Sequence, residues 1–299
     1  GEEPMSFPGR PSVSVIIPTY RDWVGLQHCL LALAQQHYPP ECFEVLAVNN
    51  APDEGPPTSL VWPEQVRLLS EFTPGSYAAR NCGIAEARGE VLAFLDADCS
   101  PDPAWLESAL TCMETQGADL VAGHIQLTYQ SSKLTPSECY EKAFAFRQAQ
   151  NVERGVAVTA NLIVRREVFD AVGVFNEQMM SGGDFEFTRR ATSAGFKLVY
   201  CPEAVVRHPA RHTLASLAQK ARRVSAGSMA LHGETGALQG SGRVLGNLGN
   251  DLRELLQRSD MSWRERGLAL GVLVYLKGVK LHQRLAMRFR PRGARELPR

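Results

Sequence analysis

Three short apolar runs in the first hundred residues limit the folds open to this chain. SVSVIIP, FEVLAVNN and EVLAFL, at 12–18, 43–50 and 90–95, are rich in β-branched and other apolar residues and show little polar alternation. Such runs are typical of strands buried on both faces of a parallel sheet. Segments with helical spacing separate them, at 24–36 and 77–87. This alternation predicts an open α/β sheet with helices on both faces.

Polar residues follow each of these runs directly. They form the clusters Thr19-Tyr20-Arg21-Asp22, Asn49-Asn50 and Asp96-Ala97-Asp98. The carboxyl ends of parallel strands meet at one edge of a sheet, and open α/β sheets bind their ligands outside that edge. We therefore expect the three clusters to converge on a common site.

The third cluster places two carboxylates one residue apart. Asp96 and Asp98 repel each other, and a divalent cation would relieve that repulsion while its remaining positions accept phosphate oxygens. The tripeptide alone is a weak signal. A solvated turn, with Asp102 and Pro103 leading into a helix, is the structural alternative.

The rest of the chain mixes the two periodicities. Strands are expected at 66–69, 120–128, 156–164 and 196–200. Helices are expected at 105–115, 137–150, 166–172 and 185–193. From Leu214 onward the pattern is helical, with a glycine-rich break at 233–249. The second half therefore predicts further strands and helices that end in a helical C-terminal appendage.

Composition argues against several functional classes. A formal net charge of zero is unlike a nucleic-acid-binding protein, which usually carries a basic excess. The seven cysteines include no CxxC pair, so they indicate neither a zinc site nor a thioredoxin-like motif. The N-terminal stretch GEEPMSFPGRPS lacks the pattern of a signal peptide, and the longest apolar run, 268–279, is too short to span a bilayer. We therefore expect a cytoplasmic protein with no nucleic-acid partner.

Five motifs in a fixed order add a family resemblance. They are SVIIPTYRD, VLAVNN, GSYAARNCGIAEARGEVLAFLDADCSPDPAWL, TANLIVRREVFDAVGVFNE and GGDFEFTRRATSAGFKLVYCPEAVVRH. From about Ser12 to His208, the chain resembles the inverting family 2 glycosyltransferases of the GT-A fold. The resemblance implies a Rossmann-like open mixed sheet flanked by helices. It also implies a hexosyltransferase that uses a nucleotide-diphosphate sugar.

The resemblance places the donor nucleotide at the edge predicted above. The residues it assigns to the nucleotide and its phosphates are Pro18, Thr19, Tyr20, Asp22, Asn49, Arg80 and Asp96. Tyr20 offers a ring for base stacking, and Arg80 offers a guanidinium that donates in pairs to phosphate. A packed tyrosine and a surface charge are the alternatives. Asn49 stands where the family usually has an aspartate, and its amide accepts from a base N–H more weakly. A UDP-sugar is the favoured donor.

The same resemblance assigns the metal and the chemistry. Asp98 and His208 match the ligands of Mn²⁺ or Mg²⁺. Asp184 matches the general base, which takes a proton from the acceptor in a single displacement. The residues assigned to the sugar or acceptor pocket are His124, Asn161, Gly183 and Glu186, and Gly183 replaces the usual glutamate. The alternatives are a helix cap for Asp184 and a structural histidine for His208.

Domain boundaries follow from these assignments. We expect a flexible N-terminus at 1–11 and a catalytic domain at 12–212. Its nucleotide-binding half would cover about 12–115 and its acceptor half about 116–212. A helical region with a basic tail would occupy 213–299.

The C-terminal tail is strongly basic. Between Arg264 and Arg299 there are ten Lys or Arg residues and two acids. An amphipathic helix on an anionic membrane would use the following apolar and basic residues: Leu268, Val272, Tyr275, Val279, Lys277, Lys280, Arg284 and Arg288. The alternative is a helix packed on the domain with a solvated basic end. The membrane hypothesis adds the inner face of the plasma membrane as an expected location.

Two other functions stay open at the level of sequence. A nucleotidyltransferase shares the nucleotide site and the acidic ligands, but it does not need the GGDFEF segment or His208. A catalytically silent partner in a glycan-assembly complex is favoured by Gly183 and Asn49. The acceptor is also open, between a glycan, a lipid-linked sugar, a peptide and a small molecule.

Overall fold

The structure is a computed structural model that describes residues 10–224 and 248–288. The expected flexible N-terminus up to residue 9, most of the glycine-rich break and the tail beyond Arg288 lie outside these ranges. Two compact units divide the chain. By its described residues, the first unit comprises 10–126, 146–178 and 183–208, and the remainder belongs to the second.

The predicted apolar runs form the parallel half of the sheet. Its strands are β1 (Val13–Thr19), β2 (Phe43–Asn49), β3 (Val66–Ser70) and β4 (Val91–Leu95). β1 pairs in parallel with both β2 and β4, and β2 pairs in parallel with β3. Every residue of β2 and β4 is buried, which is why these strands lack polar alternation. These strand predictions are confirmed.

Three helices accompany this half of the sheet. They are α1 (Trp23–Leu33), α2 (Ser76–Glu86) and α3 (Trp105–Thr115). A short 3₁₀ turn, Pro40–Cys42, leads into β2. Asp22 caps α1, because its Oδ1 accepts from the backbone N–H of Gly25 at 2.9 Å. All three helices lie close to their predicted positions.

The strands that follow β4 in the chain make the sheet mixed. They are β5 (Ser100–Pro101), β6 (Leu120–Thr128), β7 (Asn161–Arg165) and β8 (Leu198–Pro209). β7 pairs antiparallel with both β4 and β6, and β5 pairs antiparallel with β8. The strand order is β3-β2-β1-β4-β7-β6-β8-β5. The expected open mixed sheet flanked by helices is confirmed.

The helix expected at 137–150 is wrong as a continuous element. The structure has α4 (Pro136–Phe144) and α5 (Gln148–Glu153), and Phe146 between them has a φ of +49°. A bulky residue in this left-handed region costs about 1–3 kcal/mol and cannot continue a helix. The chain passes from the second unit to the first at this break.

The strand expected at 156–164 is wrong in its first half, because only β7 is extended. In the residues just before β7, side chains accept the backbone hydrogen bonds that a neighbouring strand would otherwise accept. Gln148 accepts from Val158 N at 3.0 Å, and Thr188 accepts from Ala157 N at 3.1 Å. Two helices, α6 (Arg166–Val172) and α7 (Gly183–Ser193), follow as predicted, except that α7 begins two residues early.

The second unit is helical in its described part. Besides α4, it contains helical residues 214–224 (α8), α9 (Leu248–Gln257) and α10 (Trp263–Arg288). Its apolar clusters include Cys139, Ala143, Leu217, Ala221, Leu255, Ala269, Val272 and Leu276. On α4, Glu141 accepts from the backbone N–H of Arg211 at 2.7 Å.

The apolar side of α10 is used for packing within this unit. Val272 is buried, Leu268 and Val279 contact the apolar clusters, and Lys277 pairs with Asp251 at 3.0 Å. Tyr275 is exposed. The structure therefore favours the packed-helix alternative for this face. Within the two described ranges, none of the helices combines the length and apolarity needed to cross a bilayer.

One buried amide connects the strands of the antiparallel half. The side-chain N–H groups of Asn161 donate to His124 O and Ala204 O at 2.9 Å, and its Oδ1 accepts from Trp105 Nε1 at 2.9 Å. Asn161 is completely buried. Its side chain is thus part of the core between β6, β7, β8 and α3.

We expect Asn161→Ala to lower the free energy of unfolding by about 3 kcal/mol, since it leaves a buried donor and two buried carbonyls without this partner. Urea unfolding measures the effect. Asn176→Ala, at an exposed amide that accepts from Gln178 N, is the matched control and should change stability by no more than about 0.5 kcal/mol. Equal effects of the two variants would contradict this role.

Candidate active site

A single amide fixes the entrance to α2. The side chain of Asn50 donates to Glu71 O and Thr73 O, at 3.0 and 2.8 Å, and its Oδ1 accepts from Gly75 N at 2.8 Å. Gly75 has a φ of +126°, which a residue with a Cβ rarely adopts. Asn50 therefore anchors the start of the helix that carries Tyr77 and Arg80. In the sequence, Asn50 is marked only as part of the polar doublet Asn49-Asn50 that follows β2.

Arg80 is a buried cation paired with the first aspartate of the Asp-x-Asp segment. Its side chain is 4% exposed, and its Nη2 donates to Asp96 Oδ1 at 2.7 Å. Nη1 donates to Ser76 O at 3.4 Å, and Nε has no hydrogen-bond partner among the described residues. The surface-charge alternative for Arg80 is therefore wrong. A buried guanidinium needs such a partner, and Asp96 supplies it.

The second aspartate lies beside the predicted histidine. Asp98 Oδ1 is 3.5 Å from His208 Nε2, and Asp96 Oδ2 is 4.0 Å from the same nitrogen. His208 is buried, with the Phe146 ring centred 4.5 Å from its imidazole. The two aspartates follow the end of β4, and His208 lies near the end of β8. Phe146 comes from the break between α4 and α5.

The donor set near His208 fits a divalent cation. Ligand atoms of Asp98, Cys99 and His208 lie within 4.8 Å of one another. Burial raises the pKa of the Cys99 thiol well above its usual value, with the Asp96 and Asp98 charges acting in the same direction. A thiolate suits softer metals than Mn²⁺ or Mg²⁺, which leaves carboxylate oxygen and imidazole nitrogen as ligands for these ions. Mn²⁺ accepts both, and Mg²⁺ favours the oxygens.

Asp184 lies in the first turn of α7. Its Oδ1 accepts from Tyr77 OH at 3.1 Å and Phe185 N at 3.0 Å, and its Oδ2 accepts from Thr159 N at 3.3 Å. Burial raises the pKa of Asp184, while the Arg80 charge and these hydrogen bonds oppose the rise. Because α7 begins at Gly183, Asp184 lies inside the helix and does not precede it as an N-cap residue.

The residues expected at the nucleotide lie at the same sheet edge. Thr19 is opposite Asn49 in the β1–β2 register, and Ile16 is opposite Phe94 on β4. Tyr20 is 50% exposed, so it is not the packed tyrosine of the alternative. Pro18 is half-buried at the end of the same strand.

The other nucleotide candidates are engaged locally. The Asn49 side chain is buried, donating to Glu54 O at 3.0 Å and accepting from Ala51 N at 2.9 Å. Thr19 is also buried. Asp22 caps α1. These three side chains shape the loops at the edge.

Three pocket candidates have other partners. Asn161 is in the core, and His124 Nδ1 lies 3.0 Å from Tyr200 OH. Glu186 forms an ion pair with Arg190 at 2.9 Å, whose guanidinium also donates to the backbone carbonyls of Val172 and Val174. Among the described residues, no hydrogen bond links the side chain of His124, Asn161 or Glu186 to the carboxylate of Asp184.

Comparison with known proteins agrees with the fold. The mannosyltransferase PcManGT from Pyrobaculum calidifontis, in complex with GDP-Man and Mn²⁺, superposes with a TM-score of 0.55 at 18% identity, over 97% of this chain and 78% of that one. TarS of S. aureus superposes with a TM-score of 0.52 at 17% identity, over 91% of this chain and 54% of that one. The fold is the GT-A fold.

Sequence comparison identifies the family. Residues 14–173 match the family described as "Glycosyl transferase family 2". The glycosyltransferase AglE of Haloferax volcanii is 39% identical over 225 residues, covering 73% of each chain. The pre-mycofactocin glycosyltransferase of Mycobacterium tuberculosis is 29% identical over 222 residues, covering 71% of this chain but 45% of its own length. The chain belongs to glycosyltransferase family 2.

The raised pKa of Asp184 predicts a pH-dependent effect of Asp184→Asn. The native protein holds the proton of Asp184 more tightly than the unfolded chain, so this group's contribution to stability falls as pH rises from below its ordinary pKa through the native one. The variant has no such loss. We expect the Tm of the variant minus that of the parent to increase with pH.

Thermal unfolding between pH 3 and 8 measures this difference. Asp170→Asn, at an exposed acid on α6, controls for removal of one carboxylate. A difference for Asp184→Asn that shrinks as pH rises would show that burial does not dominate at this carboxylate.

Proposed function

We propose that this chain transfers a sugar from a nucleotide-diphosphate donor to an acceptor by a single displacement that inverts the anomeric carbon. One observation carries the proposal: α2 brings Arg80 against Asp96 and Tyr77 against Asp184. One helix thereby contacts both Asp96 and the half-buried carboxylate of Asp184, and Asp98 and His208 lie beside Asp96.

The first group of residues would act on the leaving nucleoside diphosphate. Arg80 places a fixed positive charge beside Asp96, where charge develops on the diphosphate as its bond to the sugar breaks. Asp98 and His208 would hold Mn²⁺ or Mg²⁺. When bound, such a cation neutralises phosphate charge as a Lewis acid. Asp96 would face the nucleotide.

Asp184 would act as the general base. An acceptor oxygen or nitrogen bonds to the anomeric carbon while the bond from that carbon to the diphosphate oxygen breaks, and the acceptor's proton passes to Asp184. Burial raises the pKa of this carboxylate, which makes it a better proton acceptor than a solvated aspartate. Its ionised form is still supported by the Arg80 charge.

The exposed ring of Tyr20 would stack on the nucleotide base, with Pro18, Thr19, Asp22 and Asn49 shaping the surrounding loops. A UDP-sugar remains our favoured donor, and a hexose the favoured sugar. Because both polar atoms of Asn49 have partners in the loop, its role would be to shape the base site. PcManGT was solved with GDP-Man, so guanine donors belong in any screen.

The acceptor half would lie within 116–212 and the nucleotide half within 12–115. A glycan, a lipid-linked sugar, a peptide and a small molecule are all compatible with a base that needs only a hydroxyl or an amine. A membrane-bound acceptor would suit the basic C-terminal segment. Within the second unit, Lys277 is paired with Asp251.

A screen of UDP-, GDP- and dTDP-sugars by thermal shift, with and without Mn²⁺, tests donor binding. We expect at least one to raise the Tm in a Mn²⁺-dependent manner, because ligand binding to the native state stabilises it. Asp98→Ala should abolish the Mn²⁺-dependent part, whereas Asp170→Asn should retain it. Failure of every donor with the parent would contradict the proposal.

Asp184→Asn separates binding from chemistry. With the donor identified above, we expect the variant to bind it with unchanged affinity but to transfer or hydrolyse it about 100-fold more slowly or worse, because the amide cannot accept the proton. Calorimetry and product analysis measure the two quantities. Donor binding without turnover in the parent would favour a silent partner, and normal turnover in the variant would exclude Asp184 as the base.

A further inference from the structure

Gly183 and Tyr77 are complementary in shape. A Cβ added at Gly183 would lie 2.8 Å from Tyr77 Cε2 and 2.9 Å from Cδ2 and Cζ. The tyrosine ring is buried and cannot easily move, because Phe175 packs at 5.7 Å and the Arg80 guanidinium lies 5.5 Å from its centre. A side chain at 183 is therefore excluded by the ring at 77.

The hydroxyl at the end of this ring has a specific partner. Tyr77 OH donates to Asp184 Oδ1 at 3.1 Å. Burial raises the pKa of Tyr77 above its ordinary range, with the Asp184 charge acting in the same direction, so the hydroxyl stays protonated as a donor. The ring occupies the space beside Gly183, and the hydroxyl contacts the next residue.

The two oxygens of Asp184 are consequently unequal. Oδ1 accepts two hydrogen bonds, from Tyr77 and from Phe185 N, whereas Oδ2 accepts one longer bond from Thr159 N. The more weakly engaged oxygen has the greater remaining capacity to accept a proton. Tyr77 thereby directs the carboxylate and leaves Oδ2 for chemistry.

We propose that Tyr77 is the positioning residue for Asp184, and that Gly183 is the position that admits its ring. This inference rests on the proposed function, in which Asp184 is the base. Tyr77 would not touch the reacting atoms. It would orient the carboxylate and support its ionised form through the hydrogen bond to Oδ1.

Other groups also act on the same carboxylate. Arg80 from α2 and the backbone N–H groups of Phe185 and Thr159 support its ionised form. On α7 itself, Glu186 is paired with Arg190. Removal of the Tyr77 hydroxyl should therefore change the titration of Asp184 without changing another neighbouring charge.

Tyr77→Phe tests the hydroxyl while keeping the ring. In protein labelled with ¹³Cγ-aspartate and free of ligand, we expect the Asp184 signal, identified by its loss in Asp184→Asn, to titrate at higher pH in the variant. The acid limb of kcat/KM should move the same way, with kcat lower by about tenfold and donor KM unchanged. Tyr38→Phe is the matched control, since that buried hydroxyl donates to Pro11 O outside the site.

Gly183→Ala tests the ring. We expect it to lower the Tm in the parent and in Tyr77→Phe, but much less in Tyr77→Ala, where the added methyl finds space. Equal losses in all three backgrounds would overturn the complementarity of Gly183 and Tyr77.

The two hypotheses fail in different ways. An unchanged Asp184 titration in Tyr77→Phe would overturn the positioning role even in an active enzyme. If the Asp184 titration shifts but the protein transfers no sugar, the hydrogen bond between Tyr77 and Asp184 is supported. The proposed function would then be overturned, and with it the catalytic purpose of Tyr77.

Discussion

A buried positive charge organises the edge of the sheet at the carboxyl ends of its parallel strands. Arg80 has little contact with solvent, so its charge must be balanced by protein groups, and Asp96 does this directly. The same guanidinium acts through space on Asp184 and lies against the Tyr77 ring. Arg80 thus supports the charge of two acids, Asp96 and Asp184, that are far apart in the sequence. Asn50 holds the start of α2, the helix that carries Arg80.

The parallel half of the sheet could be predicted because its signals are local. β1, β2 and β4 are buried on both faces, and each ends where its apolar run ends. The errors have long-range causes. Phe146 interrupts a helical pattern where the chain changes unit, and side chains of Gln148 and Thr188 hold residues 157–158 out of the sheet. No local pattern contains those contacts.

The site was predictable to a similar extent. Arg80, Asp96, Asp98 and His208 come together because each follows or faces the carboxyl end of a strand, which is a topological expectation. Asn161 was expected in the sugar or acceptor pocket, but its side chain forms hydrogen bonds within the core, which no local pattern indicates. Tyr77 gave no signal of its own, because its importance depends on the absence of a side chain more than a hundred residues later in the sequence.

The backbone of Phe146 has an evolutionary consequence. Glycine or asparagine would adopt its positive φ at lower cost. Either would also remove the ring that packs on His208. The ring also packs against the main apolar core, so a replacement would exchange backbone strain for lost packing, and selection at this position acts on the balance between the two.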